Sequence, residues 1–287
     1  MIEKLAIFGV GLIGGSVALA LRRAGAVKTI VGVGRNRENL DAALALKVID
    51  QATTDAATAV KGADVVLIAV PVGQTAAVMG RIAPHLEPHT VVTDVGSTKQ
   101  DAIAAAARHL GGHFPRFVPA HPIAGAEQSG VQAAREDLFR DRNLILTPVP
   151  QTAATALRVV GELWQACGAR VREMQPEHHD AVFAAVSHLP HLLAFTLVDE
   201  IAGRPNADEL FGYAAGGFRD FTRIAGSSPE MWRDVCLANR EAILRELDAY
   251  VQHLSRLRVL VGQGDGPALE EMFRCARRAR RQWLAEN

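Results

Sequence analysis

Residues 5–16 read Leu-Ala-Ile-Phe-Gly-Val-Gly-Leu-Ile-Gly-Gly-Ser. An apolar run of strand type, residues 5–9, meets a helical pattern over 13–24 that stops at Gly25, a natural residue just past a helix end. Gly9, Gly11 and Gly14 stand at that junction in the pattern GxGxxG. Each has a task there: the first permits a tight turn, the second lets a pyrophosphate approach the backbone, and the third lets helix and strand pack closely. The helix N-terminus then points unpaired N–H groups at the phosphates. GxGxxG alone is a weak signal; placed between strand and helix it is the fingerprint of a dinucleotide-binding βαβ unit. A glycine-rich turn without a ligand is the alternative. The stretch 5–21, with Lys4 before it and Arg22-Arg23 after it, also has the layout of a signal peptide or a short membrane span. It lies at the lower length limit for a span and carries four phased glycines, so the strand-to-helix turn accounts for it better.

Working outward, further strand patterns fall at 28–33, 64–70, 90–95, 116–120, 143–147 and 170–174, separated by helical patterns. DVVLIAV (64–70) is continuously apolar, as in a parallel strand covered on both faces. The alternation predicts an α/β fold whose N-terminal domain, residues 1–175, is a Rossmann doubly wound parallel sheet. From Pro176 the texture is helical only, over 177–201, 208–214, 231–260 and 267–285, with Pro190 expected to kink or break the first. Residues 176–287 are therefore expected to form an all-α domain. Val235, Ile243, Leu247, Tyr250, Leu254 and Leu257 recur at helical spacing along 231–260. So long a helix in so small a domain suits packing against a second subunit, a homodimer; a purely intrachain bundle is the alternative.

The bulk composition bounds the partners. Hydrophobic residues at 49% and charged residues at 22% are those of a soluble globular protein. Thirty-one basic and thirty-one acidic residues cancel, so no global field draws the chain to nucleic acid or an anionic membrane. Cys167, Cys236 and Cys275 are odd in number and far apart, which excludes a disulfide framework or a CxxC metal pair and suits a reducing cytoplasm. Arg274, Arg277, Arg278, Arg280 and Arg281 crowd the C-terminus, where cations complement a helix dipole and Glu270 can pair with Arg274. Without interleaved aromatics, a solvated helix end explains them better than a nucleic-acid patch.

Candidate site residues follow the strand ends. Where an NAD-specific fold usually carries an acid for the ribose 2′-hydroxyl, the second strand ends Val33-Gly34-Arg35-Asn36-Arg37. An arginine fork there suits a 2′-phosphate, which favours NADP and leaves NAD open; otherwise Arg35 and Arg37 are solvated loop residues. DVGSTK (94–99) ends another strand at the edge where ligands bind, and HPIAGAE (121–127) follows the next. A histidine at that edge can accept a hydroxyl proton during hydride transfer, although a lone loop histidine is as often a surface residue. SHLPH (187–191) invites a metal reading, but no further ligands stand at consistent spacing, so no metal is expected. In GGFRDFTR (216–223), Arg219 and Arg223 are four apart and on a helix could both face an anionic substrate, or be a pair of surface arginines.

Taken together, GVGLIGGS, DVVLIAVP, VTDVGSTK, HPIAGAEQSG, SHLPH and GGFRDFTRIAGSSPEMW resemble the prephenate/arogenate (cyclohexadienyl) dehydrogenase family of tyrosine biosynthesis, in order from residue 3 to about residue 260. The resemblance implies a Rossmann domain followed by a helical dimerisation domain. It also implies NAD(P)-dependent oxidative decarboxylation of prephenate to 4-hydroxyphenylpyruvate, or of arogenate to tyrosine. The residues expected to meet the cofactor are Gly9, Gly11, Leu12, Ile13, Gly14, Arg35, Val70 and Pro71. His121 is the implied catalytic histidine, and Ser97 the serine that orients it and touches nicotinamide or substrate. Arg223 would bind a substrate carboxylate, His191, Glu127 and Asp220 would belong to a polar network around the pocket, and Trp232 would line it. At Arg219 relatives can carry lysine, which preserves charge but not bidentate geometry.

Two other readings compete. A β-hydroxyacid-type dehydrogenase also joins a Rossmann domain to helices, but relies on a catalytic lysine in the helical part, and no lysine occurs after Lys99. A non-catalytic NADP-sensing module would leave His121, Ser97 and the GGFRDFTR arginines without a purpose.

Overall fold

The computed structural model describes residues 1–125 and 128–286. Six strands, β1 (Ile2–Phe8), β2 (Val27–Val33), β3 (Gln51–Thr53), β4 (Val65–Ile68), β5 (Val91–Asp94) and β6 (Phe117–Val118), make one parallel sheet in the order β3-β2-β1-β4-β5-β6. Helices α1 (Leu12–Arg23), α2 (Arg37–Ala45), α3 (Ala56–Val60), α4 (Thr75–Ile82) and α5 (Gln100–His109) connect them. The order reverses between β1 and β4, which places a crevice at their C-terminal ends, where open α/β sheets bind ligands. Successive side chains alternate between the two faces. Leu5, Ile7, Val65 and Leu67 enter one core, while Ala6, Phe8, Val66 and Ile68 enter the other. This two-sided burial explains why DVVLIAV shows no polar alternation.

The remaining three strands do not extend this sheet. β7 (Ala120–Pro122), β8 (Asn143–Leu146) and β9 (Arg170–Glu173) form a separate sheet in the order β7-β8-β9, with β7 antiparallel to β8. The run expected as one strand over 116–120 is split between β6 and β7 at Pro119, which has no N–H to continue a ladder. α6 (Ala154–Ala166) closes this part, burying Trp164 against Phe139.

Beyond it the chain is helical: α7 (Pro176–Phe183), α8 (Leu189–Ala202), α9 (Ala207–Gly212), α10 (Gly216–Thr222), α11 (Pro229–Ala238), α12 (Arg240–Gln263) and α13 (Gly266–Glu286). Pro190 does not end the first helical run. A π-turn, Ala184–His188, takes up the change just before it, an insertion that relieves the missing N–H of proline. The single helix expected over 231–260 is two, because Asn239 closes α11 and turns its side chain inward instead of continuing the helix. By compactness the chain divides into Met1–Arg240 and a helical unit from Glu241 onward. Within α13 Arg274 pairs with Glu270 at 2.6 Å, an exposed i,i+4 pair that contributes little stability. Val251, Leu254, Val259, Val261 and Phe273 remain exposed.

Candidate active site

At the crevice, Gly9 has φ +98° and a Cβ there would strike the carbonyl of Ala69 beside β4. A Cβ on Gly14 would strike the Gly9 carbonyl, whereas one on Gly11 would meet nothing within 4 Å. Two glycines are thus compelled by packing and the third faces open space at the N-terminus of α1, whose first turn has neither a side-chain cap nor an acidic residue. That cradle fits a dinucleotide pyrophosphate. Leu12 and Ile13 begin α1, and Val70 and exposed Pro71 follow β4 across the crevice. Arg35 is exposed just past β2, where Asn36 caps α2 by accepting from Glu38 N at 2.8 Å.

A buried ion pair builds the adjoining strand end. Lys99 Nζ donates to Asp94 Oδ2 at 2.5 Å and to Ala120 O at 2.7 Å, and both side chains are buried. Asp94 also accepts from Gly96 N at 2.9 Å and from Ala120 N at 3.0 Å. Residue 120 is therefore held at both its N–H and its C=O, which fixes the start of β7 and the residue after it, His121.

His121 is part-buried, edge-on to Phe183 at 4.7 Å between ring centroids. Its Nδ1 lies 2.9 Å from His179 Nε2, and His179 Nδ1 lies 2.8 Å from Asp180 Oδ1. Asp180 further accepts from Lys99 N at 2.9 Å, Gln100 N at 3.0 Å and Gln100 Nε2 at 3.2 Å. Burial, then the charges of His179, Lys99 and His188, push the His121 pKa well below its ordinary value. Burial lowers His179 as well, against the pull of Asp180. Burial alone would raise Asp180, but the hydrogen bonds from His179 and from the Gln100 and Lys99 amides bring it below the usual carboxylate value. Asn239 Nδ2 donates to Asp180 O at 2.8 Å and to His188 Nδ1 at 3.1 Å. His188 is fully buried and lowered to about 4 by desolvation. Trp232 lies 6.0 Å from it and stacks on His191 at 3.8 Å, while His191 Nδ1 donates to Ser187 O at 2.8 Å. The arrangement can bind a dinucleotide at one wall and withdraw a proton at the other.

Known proteins match this description. Residues 17–173 match the family described as prephenate dehydrogenase, nucleotide-binding domain, and residues 175–275 the family described as prephenate dehydrogenase, dimerization domain. The chain belongs to the prephenate dehydrogenase family. It is 40% identical to prephenate dehydrogenase of Bacillus subtilis over 96% of this chain and 75% of that one. It is 37% identical to cyclohexadienyl dehydrogenase of Zymomonas mobilis over 97% and 95%. The crystal structure of A. aeolicus prephenate dehydrogenase in complex with hydroxyphenyl propionate and NAD+ superposes with a TM-score of 0.92, at 36% identity over 98% of both chains. As a member of this family, the protein is an oxidoreductase with an NAD(P)-binding domain.

Within this prephenate dehydrogenase fold, His121, His191 and Trp232 converge through a continuous set of contacts. Arg223 opens the turn Arg223–Gly226, which packs on α8, and its charge contributes to lowering His191. Arg219 lies on α10, and Arg223, four residues on, is the C-cap of that helix with helical backbone angles. Arg219 and Asp220 are exposed on α10, with no hydrogen bond or ion pair to the cluster among the described residues. Glu127 lies outside the described residues. Ser97 was expected to orient His121, but among the described residues it makes no hydrogen bond to that ring; His179 holds it instead. His179, Asp180 and Asn239 were not singled out from sequence, and His188 and Lys99 entered only as members of SHLPH and DVGSTK, without these roles. The available signal was His-His-Asp (178–180) inside an otherwise apolar helical run, and the last lysine of the chain a short turn past the end of a core strand.

Proposed function

We propose that the protein catalyses NAD(P)-dependent oxidative decarboxylation of prephenate, of arogenate, or of both, as a step of tyrosine formation. The observation that carries this reading is the 2.9 Å contact that holds His121 at Nδ1 against His179, so that its other ring nitrogen is the one left to act; burial favours the neutral ring that such a role needs. When bound, the nicotinamide provides the hydride acceptor. His121 Nε2 takes the hydroxyl proton of the cyclohexadienol as the carbinol carbon is oxidised. The resulting electron deficiency lets the ring carboxylate leave as CO2, and aromatisation supplies the driving force. Arg223 holds the side-chain carboxylate without overbinding the one that departs. His191 and Trp232 form a wall of the pocket, and Ser97, Glu127, Arg219 and Asp220 complete its polar rim once substrate is present. Residues 1–175 serve the cofactor and residues 176–287 the substrate and the subunit contact.

Gly9, Gly11, Leu12, Ile13, Gly14, Val70 and Pro71 cradle the dinucleotide, and Arg35 beside the ribose favours NADP over NAD. The protein is a cytoplasmic homodimer. Support for the dimer comes from the exposed apolar residues of α12 and α13 and from the stretch Pro176–Ala202, apolar enough to cross a membrane yet mostly not buried within one chain. A second copy would cover such surface. Steady-state reduction of NAD+ and of NADP+, followed at the nicotinamide absorbance with prephenate and with arogenate, tests the reading. Turnover with at least one substrate is expected; no reduction with any of the four pairs overturns it.

A further inference from the structure

The reading above needs one base, and the structure supplies a chain of groups behind it. We propose that His179 takes up the proton that His121 removes and that Asp180 balances the resulting charge, so that the two imidazoles and the carboxylate form a proton relay. This inference rests on His121 being the base of the reaction.

The hydrogen bonds dictate the direction. Asp180 accepts from Lys99 N, Gln100 N and Gln100 Nε2 as well as from His179, so four donors converge on one carboxylate. An ionised Asp180 makes His179 Nδ1 the protonated nitrogen and leaves the lone pair on Nε2. The 2.9 Å contact from that atom to His121 Nδ1 is then a hydrogen bond only if His121 donates. His121 Nε2 is left with the lone pair, the form a base must have.

The proton count closes. The substrate O–H breaks as His121 Nε2–H forms; His121 Nδ1–H breaks as His179 Nε2–H forms; the hydride leaves with its electron pair to the nicotinamide. The products of the transfer are a neutral His121 and an imidazolium at His179 bonded to Asp180. The charged groups facing the pair favour that end state. The Lys99 ammonium, bonded to the carbonyl of Ala120 next to His121, disfavours charge on both imidazoles, whereas the Asp180 and Asp94 carboxylates favour it on His179. Asp94, paired to Lys99, and His188, the last residue of the π-turn, complete the surroundings, and Asp180 is the carboxylate bonded directly to His179. His179 is thus a positioning residue that also stores the proton, acting through His121.

The test is a single-turnover measurement with enzyme in excess over prephenate, or arogenate where that is the substrate used. His179→Gln keeps an acceptor for His121 Nδ1–H but cannot take a proton. The rate should fall by about 10²-fold or more, with dinucleotide affinity unchanged. Asp180→Asn removes the countercharge and should shift the acid limb of the pH profile to lower pH, which a purely structural loss would not do. On the unaltered protein, which avoids any folding defect, the rate in mixtures of H2O and D2O should bow, because two protons move. A straight line, or a His179→Gln rate within about threefold of the parent, overturns the relay. Absence of turnover by the unaltered protein would instead remove the reaction assignment, and the relay with it.

Discussion

Lys99→Met removes the one cation bonded to the buried Asp94 carboxylate among the described residues and also strips the Ala120 carbonyl of a donor. Both partners are buried, so no solvent enters to compensate. Breaking a buried pair by deleting one partner costs about 3–5 kcal/mol, since the remaining charge stays desolvated. At roughly 2–4 °C per kcal/mol for a chain of this size, Tm should fall by about 6–20 °C in a thermal scan. Pairing the change with Asp94→Asn removes the orphaned charge and should recover part of the loss, giving a coupling of at least about 1 kcal/mol in a double-mutant cycle. The same substitution acts on the base. The Lys99 charge is one of the forces that depress His121, while burial, the larger one, remains. The acid limb of kcat/KM, where His121 becomes protonated and inactive, should therefore move to higher pH in Lys99→Met. A Tm within about 2 °C of the parent would show that the pair does not anchor this strand end. An unmoved acid limb would show that Lys99 holds His121 in place but does not tune it.

His121→Asn should lower kcat by roughly 10²–10⁴ with dinucleotide binding intact by fluorescence titration; a near-normal kcat removes it from the chemistry. Arg223→Ala should raise KM for the cyclohexadienol strongly and leave KM for the dinucleotide alone; a rise in both would make the arginine structural. Arg35→Asp should shift preference toward NAD+, measured as the ratio of kcat/KM values for the two dinucleotides, and no shift would return Arg35 to the solvated surface.

The nucleotide half of the site was legible because its chemistry is local. Gly9, Gly11 and Gly14 lie within six residues, and strand, turn and helix are all written in that stretch. The division of the strands into two sheets was not legible, because it turns on which strands share an edge, and a break at Pro119 reads the same whether the chain resumes one ladder or starts another. The short β3 was missed since three residues give no periodicity. For the proton-handling half, the family motifs pointed to His121 but named Ser97 as its support. The support seen here comes from α7, 58 residues along the chain, through His179. No spacing rule links those positions; only the packing of α7 against α5 and the 99–100 turn does. Asn239 shows the same effect in reverse. Its neighbours carry a helical pattern, and what breaks the helix is a tertiary demand, the hydrogen bonds to Asp180 and His188.

The geometry also explains why a base with so low an affinity for protons suits this reaction. Burial pushes the His121 pKa well below its ordinary value, which favours the neutral ring, the form that can accept the hydroxyl proton. The cost is a weaker pull on the substrate hydroxyl. Oxidation of the carbinol carbon acidifies that hydroxyl progressively, and loss of CO2 with aromatisation makes the step irreversible, so a strong base is not required. What is required is that the proton has somewhere to go once His121 holds it, in a recess where Lys99 already places positive charge. Asp180 is the one carboxylate in direct contact with the imidazole pair among the described residues, and it touches His179 rather than His121. The same carboxylate pins the backbone of Lys99 and Gln100, so a single buried side chain from α7 ties the position of the base, the cation that tunes it and the path of the proton to one another.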